Sequence, residues 1–145
     1  MSSNFFSHPR YRCQMIKHIA RTLLGVALTY AGITHLTTSR TEFQAQVPTI
    51  LASQADFVVI ASGVVEILLG LSLIFLFKYR TRIGWITAAF FVAIFPGNIS
   101  QYVNGIDAFG LDTDQARLTR LFFQPLLVLW ALWSTDAWKS RKSDK

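Results

Sequence analysis

Glu66 is the side chain in this sequence whose chemistry its surroundings least explain. It interrupts the run FVVIASGVVEILLGLSLIFLF, nine residues after Phe57 and eleven before Phe77. If that run is a helix in a bilayer, the carboxyl lies roughly 14–17 Å from either end, beyond the reach of snorkelling. Desolvation then favours the neutral acid, suited to carrying a proton, donating a hydrogen bond to a ligand, or tying helices together. Ser62, Gly63, Gly70 and Leu73 share its face at helical spacing, and small residues there let another helix approach closely. The face therefore points inward.

Other polar residues are spaced to join it. His35 closes a stripe with Arg21, Gly25, Leu28 and Gly32 and can titrate, shuttle a proton or bind a polar head group. Phe95-Pro96-Gly97-Asn98-Ile99 reads as a helix break, with Asn98 and Gln101 available to satisfy freed backbone or to line a pocket. Arg120 and Gln124 stand one turn apart on a common face. Arg120 is either solvated at the surface or turned inward, towards Glu66 or an anionic ligand. Together His35, Asn98, Gln101, Arg120 and Gln124 predict a polar pocket in one half of the fold, with Glu66 at its floor.

Four apolar stretches position these residues: Ile19–Leu36, Phe57–Phe77, Ile83–Ile99 and Leu121–Trp138. Each is close to the roughly 17–25 residues that a membrane helix needs. None alternates as a barrel strand does. The first lacks a small-residue cleavage site and is read as a retained helix rather than a signal peptide. The fold class expected is all-α, an integral membrane four-helix bundle. Residues 1–16 form a flexible N-terminal segment, 17–138 the four-helix domain and 139–145 a basic tail. Eleven of the 14 Lys and Arg precede the first stretch or stand at its start (Arg21), join the second to the third, or follow the fourth. The other two connections hold Arg40, Arg117 and Arg120 but also Glu42, Asp56, Asp107, Asp112 and Asp114. The positive-inside rule then puts both termini in the cytoplasm, and Trp85, Trp133 and Trp138 fall at interfacial depth.

Composition removes several classes. Of the 145 residues, 52% are hydrophobic and only 15% charged, so the net charge of +6 is confined to gaps between apolar runs. That pattern suits a bilayer and not a nucleic-acid partner. Cys13 is the single cysteine, so thiol–disulfide chemistry within the chain has no pair to run on, and no Cys/His cluster has metal-ligand spacing. No metal site is expected.

Gly32-Ile33-Thr34-His35, Val47-Pro48, Ser62-Gly63-Val64-Val65-Glu66 and Phe95-Pro96-Gly97-Asn98, in that order, resemble the DoxX family of small four-helix membrane proteins over about residues 18–135. The chain departs from that pattern at Ser100 and in Arg120-Leu121-Phe122-Phe123-Gln124. The resemblance implies the fold and a multi-pass place in the cell (inner) membrane. Some members resemble the membrane subunit of a thiosulfate–quinone oxidoreductase, which makes a quinone the cofactor to test. Three activities stay open. One is an accessory or ligand-binding membrane subunit associated with redox metabolism, with Glu66 and His35 lining a lipid or quinone pocket. Another is a quinone-linked oxidoreductase with Glu66 as proton relay. The last is a small-molecule transporter acting as an oligomer. The partners implied are membrane lipids, a redox-enzyme subunit or further copies of the chain.

Overall fold

The computed structural model describes residues 9–38, 40–45, 47–106 and 113–142. These are helical, with no strand among the described residues. Four long helices dominate: α1 (Pro9–Leu36), α3 (Ala55–Phe75), α4 (Arg80–Val103) and α5 (Asp114–Ser134). A short α2 (Arg40–Ala45) and a 3₁₀ turn (Thr49–Gln54) link α1 to α3. Two more 3₁₀ segments, Phe77–Tyr79 and Ala137–Lys142, join α3 to α4 and follow α5. Of the long helices, α1, the Thr49–Phe75 stretch containing α3, and the Phe77–Val103 stretch containing α4 are long and apolar enough to cross a membrane.

The boundaries differ from those expected, for local reasons. Pro9 begins α1 ten residues ahead of the apolar run, taking in residues 9–16; proline suits a first helical turn, where its missing N–H costs nothing. Thr113 caps α5, its Oγ1 accepting from the Ala116 N–H at 3.2 Å, so that helix starts seven residues before Leu121. The largest departure is in α4, which does not end at Pro96-Gly97 but continues to Val103. In the turn before Pro96, the Phe91 carbonyl accepts a hydrogen bond from Gln124 Nε2 at 2.8 Å. The carbonyl that Pro96 leaves without its helical donor is that of Val92, so this bond from a neighbouring helix braces the adjoining residue.

One core joins the four long helices: Leu24 and Leu28 of α1, Leu69 and Leu73 of α3, Ile83, Ala88 and Phe91 of α4, and Ala131 of α5. Its tightest seam lies between α1 and α3. A Cβ on Gly25 would come within 2.7 Å of the Gly70 carbonyl oxygen, and one on Gly32 within 2.6 Å of that of Gly63. Backbone therefore meets backbone at two levels seven residues apart, which fixes an antiparallel register. α4 pairs chiefly with α5.

The two halves are clasped at the end from which α1 starts and at which α5 finishes. Lys17 Nζ donates to Asp136 Oδ1, with both residues buried. Trp130 Nε1 donates to the Ala20 carbonyl and Trp85 Nε1 to the Ala137 carbonyl, each at 3.0 Å. Gly84 lies under Thr135 so closely that a Cβ would collide with its hydroxyl. Desolvation pushes the Asp136 carboxyl up, but hydrogen bonding and charge attraction from Lys17, with a further contribution from Lys139, outweigh it and hold the group below its ordinary value.

Candidate functional site

At the opposite end the four helices part around a cavity of about 900 Å³. The α1–α3 seam brings its two titratable groups together, because Gly63 leaves room for the His35 Cβ beside the α3 backbone. His35 Nδ1 then lies 2.9 Å from the Ala31 carbonyl oxygen and 2.8 Å from Glu66 Oε2. One ring hydrogen faces two oxygens. The Ala31 carbonyl takes the aligned hydrogen bond, and Glu66 Oε2 is left with none. Glu66 is only 5% exposed; its side chain lines the cavity, while Oε2 itself is closed off beside the imidazole. Phe43 of α2 stacks on the imidazole, with ring centroids 3.3 Å apart.

A second polar group forms across the cavity. Asn98 Nδ2 donates to Gln124 Oε1 at 3.0 Å, and Gln124 Nε2 is spent on the Phe91 carbonyl. Both side chains are buried. Arg120, one turn from Gln124, is half-buried and lines the same space, so the inward alternative for this residue is the one observed.

The structure thus brings five of the six candidate residues to one cavity: His35, Glu66, Asn98, Arg120 and Gln124. Gln101 is the exception. It is buried behind the wall, where its Nε2 donates to the Ile106 carbonyl at 3.2 Å. Arg117 Nε reaches the same carbonyl, and its Nη1 pairs with Asp114 at 2.7 Å. Gln101 serves the connection after α4, because α4 remains helical past Pro96 and turns that side chain away.

Glu66 sits on the cavity wall and not on its floor. The Gly25–Gly70 and Gly32–Gly63 levels place Glu66 opposite residue 29, whereas Leu24 also lines the cavity, about 7 Å deeper. The floor is apolar, built from Leu24, Leu28, Phe91 and Leu127. The lid of the cavity is apolar too: Phe43, Val47, Pro48, Ile50 and Leu51 come from the α1–α3 connection. Its contribution was not foreseen, since these residues do not lie on a long helix; the Val47-Pro48 pair was the available signal. That connection is tied to the start of α3 by Arg40, whose Nε and Nη2 reach the two oxygens of Asp56 at 2.7 and 2.6 Å, and by Gln44 Nε2 at 2.8 Å.

Chemically, the cavity offers a polar belt between two apolar zones. It can hold an apolar body and engage one polar group. Among the described residues no three His, Cys, Asp or Glu side chains converge to hold a metal ion. Asp107 and Asp112 lie outside the described residues.

The chain belongs to the family described as Domain of unknown function (DUF8561), whose model matches residues 24–135. That span includes all six candidate residues and both glycine levels of the α1–α3 seam. No curated protein and no solved structure matches the chain.

Proposed function

We propose that this chain is a four-pass membrane protein of the DoxX type that binds a lipid or quinone in the cavity between its helices, as an accessory subunit associated with redox metabolism. One observation carries this reading: a cavity of about 900 Å³, apolar at floor and lid, with a buried histidine–carboxyl contact in its wall. A soluble metabolite has no use for so much apolar lining, whereas a membrane amphiphile does. α5 is the fourth span. Its Arg117, Arg120 and Gln124 are turned to protein or cavity, so its apolar residues remain for lipid: Phe122, Leu126 and Leu129 are all more than half exposed. Lys and Arg gather at the clasped end, which the positive-inside rule assigns to the cytoplasm of the inner membrane. The cavity then opens away from the cytoplasm.

A quinone-linked oxidoreductase is the second reading, favoured by the 2.8 Å approach of His35 Nδ1 to Glu66 Oε2. Two proton-exchanging groups in contact beside an amphiphile site are what proton transfer to a bound ring requires. Extraction of protein purified in mild detergent, followed by mass spectrometry, tests the shared core of both readings. The expected result is one lipid or quinone species retained near equimolar amount and lost in Ser62→Phe, which fills the cavity. An extract indistinguishable from that of an unrelated membrane protein overturns them.

A further inference from the structure

We propose that the clasped end carries a second site, separate from the cavity: a seat for the phosphate of an anionic phospholipid head group, formed where His18, Arg21 and Arg80 gather around Phe77. Phe77 opens the short link between α3 and α4. The guanidinium carbon of Arg21 lies 4.7 Å from the centroid of its ring and that of Arg80 4.3 Å. The imidazole of His18 stacks on the same ring, with centroids 4.6 Å apart. The two guanidinium groups are thus less than about 9 Å from each other, inside the screening length of dilute salt, and they repel. Among the described residues neither forms an ion pair, and the acid at this end, Asp136, is taken by Lys17 and Lys139. Arg21 is 3% exposed, and its Nε and Nη1 have no hydrogen-bond partner. One positive charge is therefore buried beside another without a counter-charge, an arrangement that is costly until an anion joins it.

The start of α4 adds to the same field. Tyr79 caps it without a side-chain hydrogen bond, and its first turn holds Arg80 and Arg82 but no acid. A helix N-terminus favours negative charge, and arginines placed there strengthen that preference. The groups that can touch an anion are the accessible ones: Arg80 is partly exposed and His18 is exposed. Arg21 Nη2 lies 3.0 Å from His18 Nδ1, and arginine can only donate. Nδ1 therefore accepts, and the ring's hydrogen sits on Nε2. Arg21 itself is closed off; it acts through its charge and by fixing that tautomer. The surroundings favour a lipid over a soluble anion. Phe75, two residues before Phe77, and Ile19 and Leu23, two residues either side of Arg21, are each more than half exposed. Apolar surface suited to hydrocarbon thus runs up to the charged group, where the phosphates of a membrane leaflet lie.

Native mass spectrometry of the full-length protein tests this, with dioleoyl phosphatidylglycerol and dioleoyl phosphatidylcholine offered in equal amount. The two share their chains and phosphate and differ in net charge. One phosphatidylglycerol is expected to be retained at least roughly tenfold over phosphatidylcholine, the scale that two arginines at a charged leaflet supply. Arg80→Gln is expected to bring the ratio within a few-fold, and Arg80→Lys to preserve most of it. His18→Phe keeps the stack on Phe77 but has no N–H, and a several-fold loss is expected there even if Arg80→Gln does not fold. Arg12→Gln, which removes an exposed charge on the same helix, should change nothing. Equal retention of both lipids by the unaltered protein overturns the inference. An equal loss in Arg12→Gln overturns it too, by making the preference one of overall charge. The preference should persist in Ser62→Phe; its loss there would place the lipid in the cavity and overturn the second site while leaving the first. Displacement of the lipid by millimolar inorganic phosphate would overturn the lipid assignment in favour of a soluble anion.

Discussion

The two ends of the molecule solve opposite problems with similar residues. At the clasped end Lys17 meets Asp136 and the indole N–H groups of Trp85 and Trp130 find carbonyls, although Nε and Nη1 of the buried Arg21 and the Ser134 hydroxyl make no hydrogen bond. At the cavity end, polar groups are equally buried but not all are matched, Glu66 Oε2 above all. A satisfied network rigidifies a core, whereas an unsatisfied one costs stability unless something else completes it. What sets the second end apart is that its polar side chains line an open cavity, whereas those of the first are packed between helices. Neither burial nor an unmatched polar atom alone distinguishes them; the cavity does.

Mutation can break this comparison, and the largest effect is expected at the clasp. Asp136→Asn leaves Lys17 buried without its counter-charge and should cost about 3–5 kcal/mol, read as a lowered melting temperature in detergent. Asparagine tolerates the left-handed backbone at this position, φ 56°, so the loss reports charge and not strain. The same carboxyl has a pH signature. Because folding holds it below its ordinary value, its contribution is present above the ordinary carboxylate range and disappears as pH falls through the depressed folded value. The acid limb of the melting profile should therefore flatten in Asp136→Asn. An unchanged profile would make the clasp incidental.

A middling effect is expected at Gln124, which ties Asn98 to the Phe91 carbonyl at the cavity end. Gln124→Leu takes the partner from Asn98 Nδ2 and the second donor from the Phe91 carbonyl and should cost about 1–3 kcal/mol in the same melt. It should also loosen α4 near Pro96, visible as faster amide exchange around residues 92–98. The smallest effect is expected at the exposed tie of the lid. Arg40→Ala removes the pair with Asp56, both substantially exposed, and should change stability by less than about 1 kcal/mol. A larger loss would mean that the lid, and not the clasp, holds the fold together.

Much of this was legible in the residues themselves. The long apolar runs gave the principal helices because their length and composition leave hydrocarbon few alternatives. The stripe Arg21, Gly25, Leu28, Gly32, His35 is buried throughout, as its spacing demands. Glu66 and His35 were singled out because an ionisable group among apolar neighbours is rarely idle. What the sequence concealed depends on contacts between distant residues. Lys17 and Asp136 are 119 positions apart, and neither stands out beside the other charges that flank the runs. Gln101 looks as free to line the cavity as Asn98 until α4 is seen to pass Pro96 unbroken, which carries Gln101 behind the wall. Phe43 was missed because a six-residue helix offers too little periodicity to show which side it presents.

The glycine seam has a mechanical consequence. With carbonyls seated where side chains would otherwise stand, α1 and α3 cannot slide or roll past each other without collision, so they act as one beam. His35 and Glu66 ride on that beam and keep their spacing whatever else moves. Any widening that admits a guest is then left to α4, α5 and the connection that covers the cavity, and not to the seam.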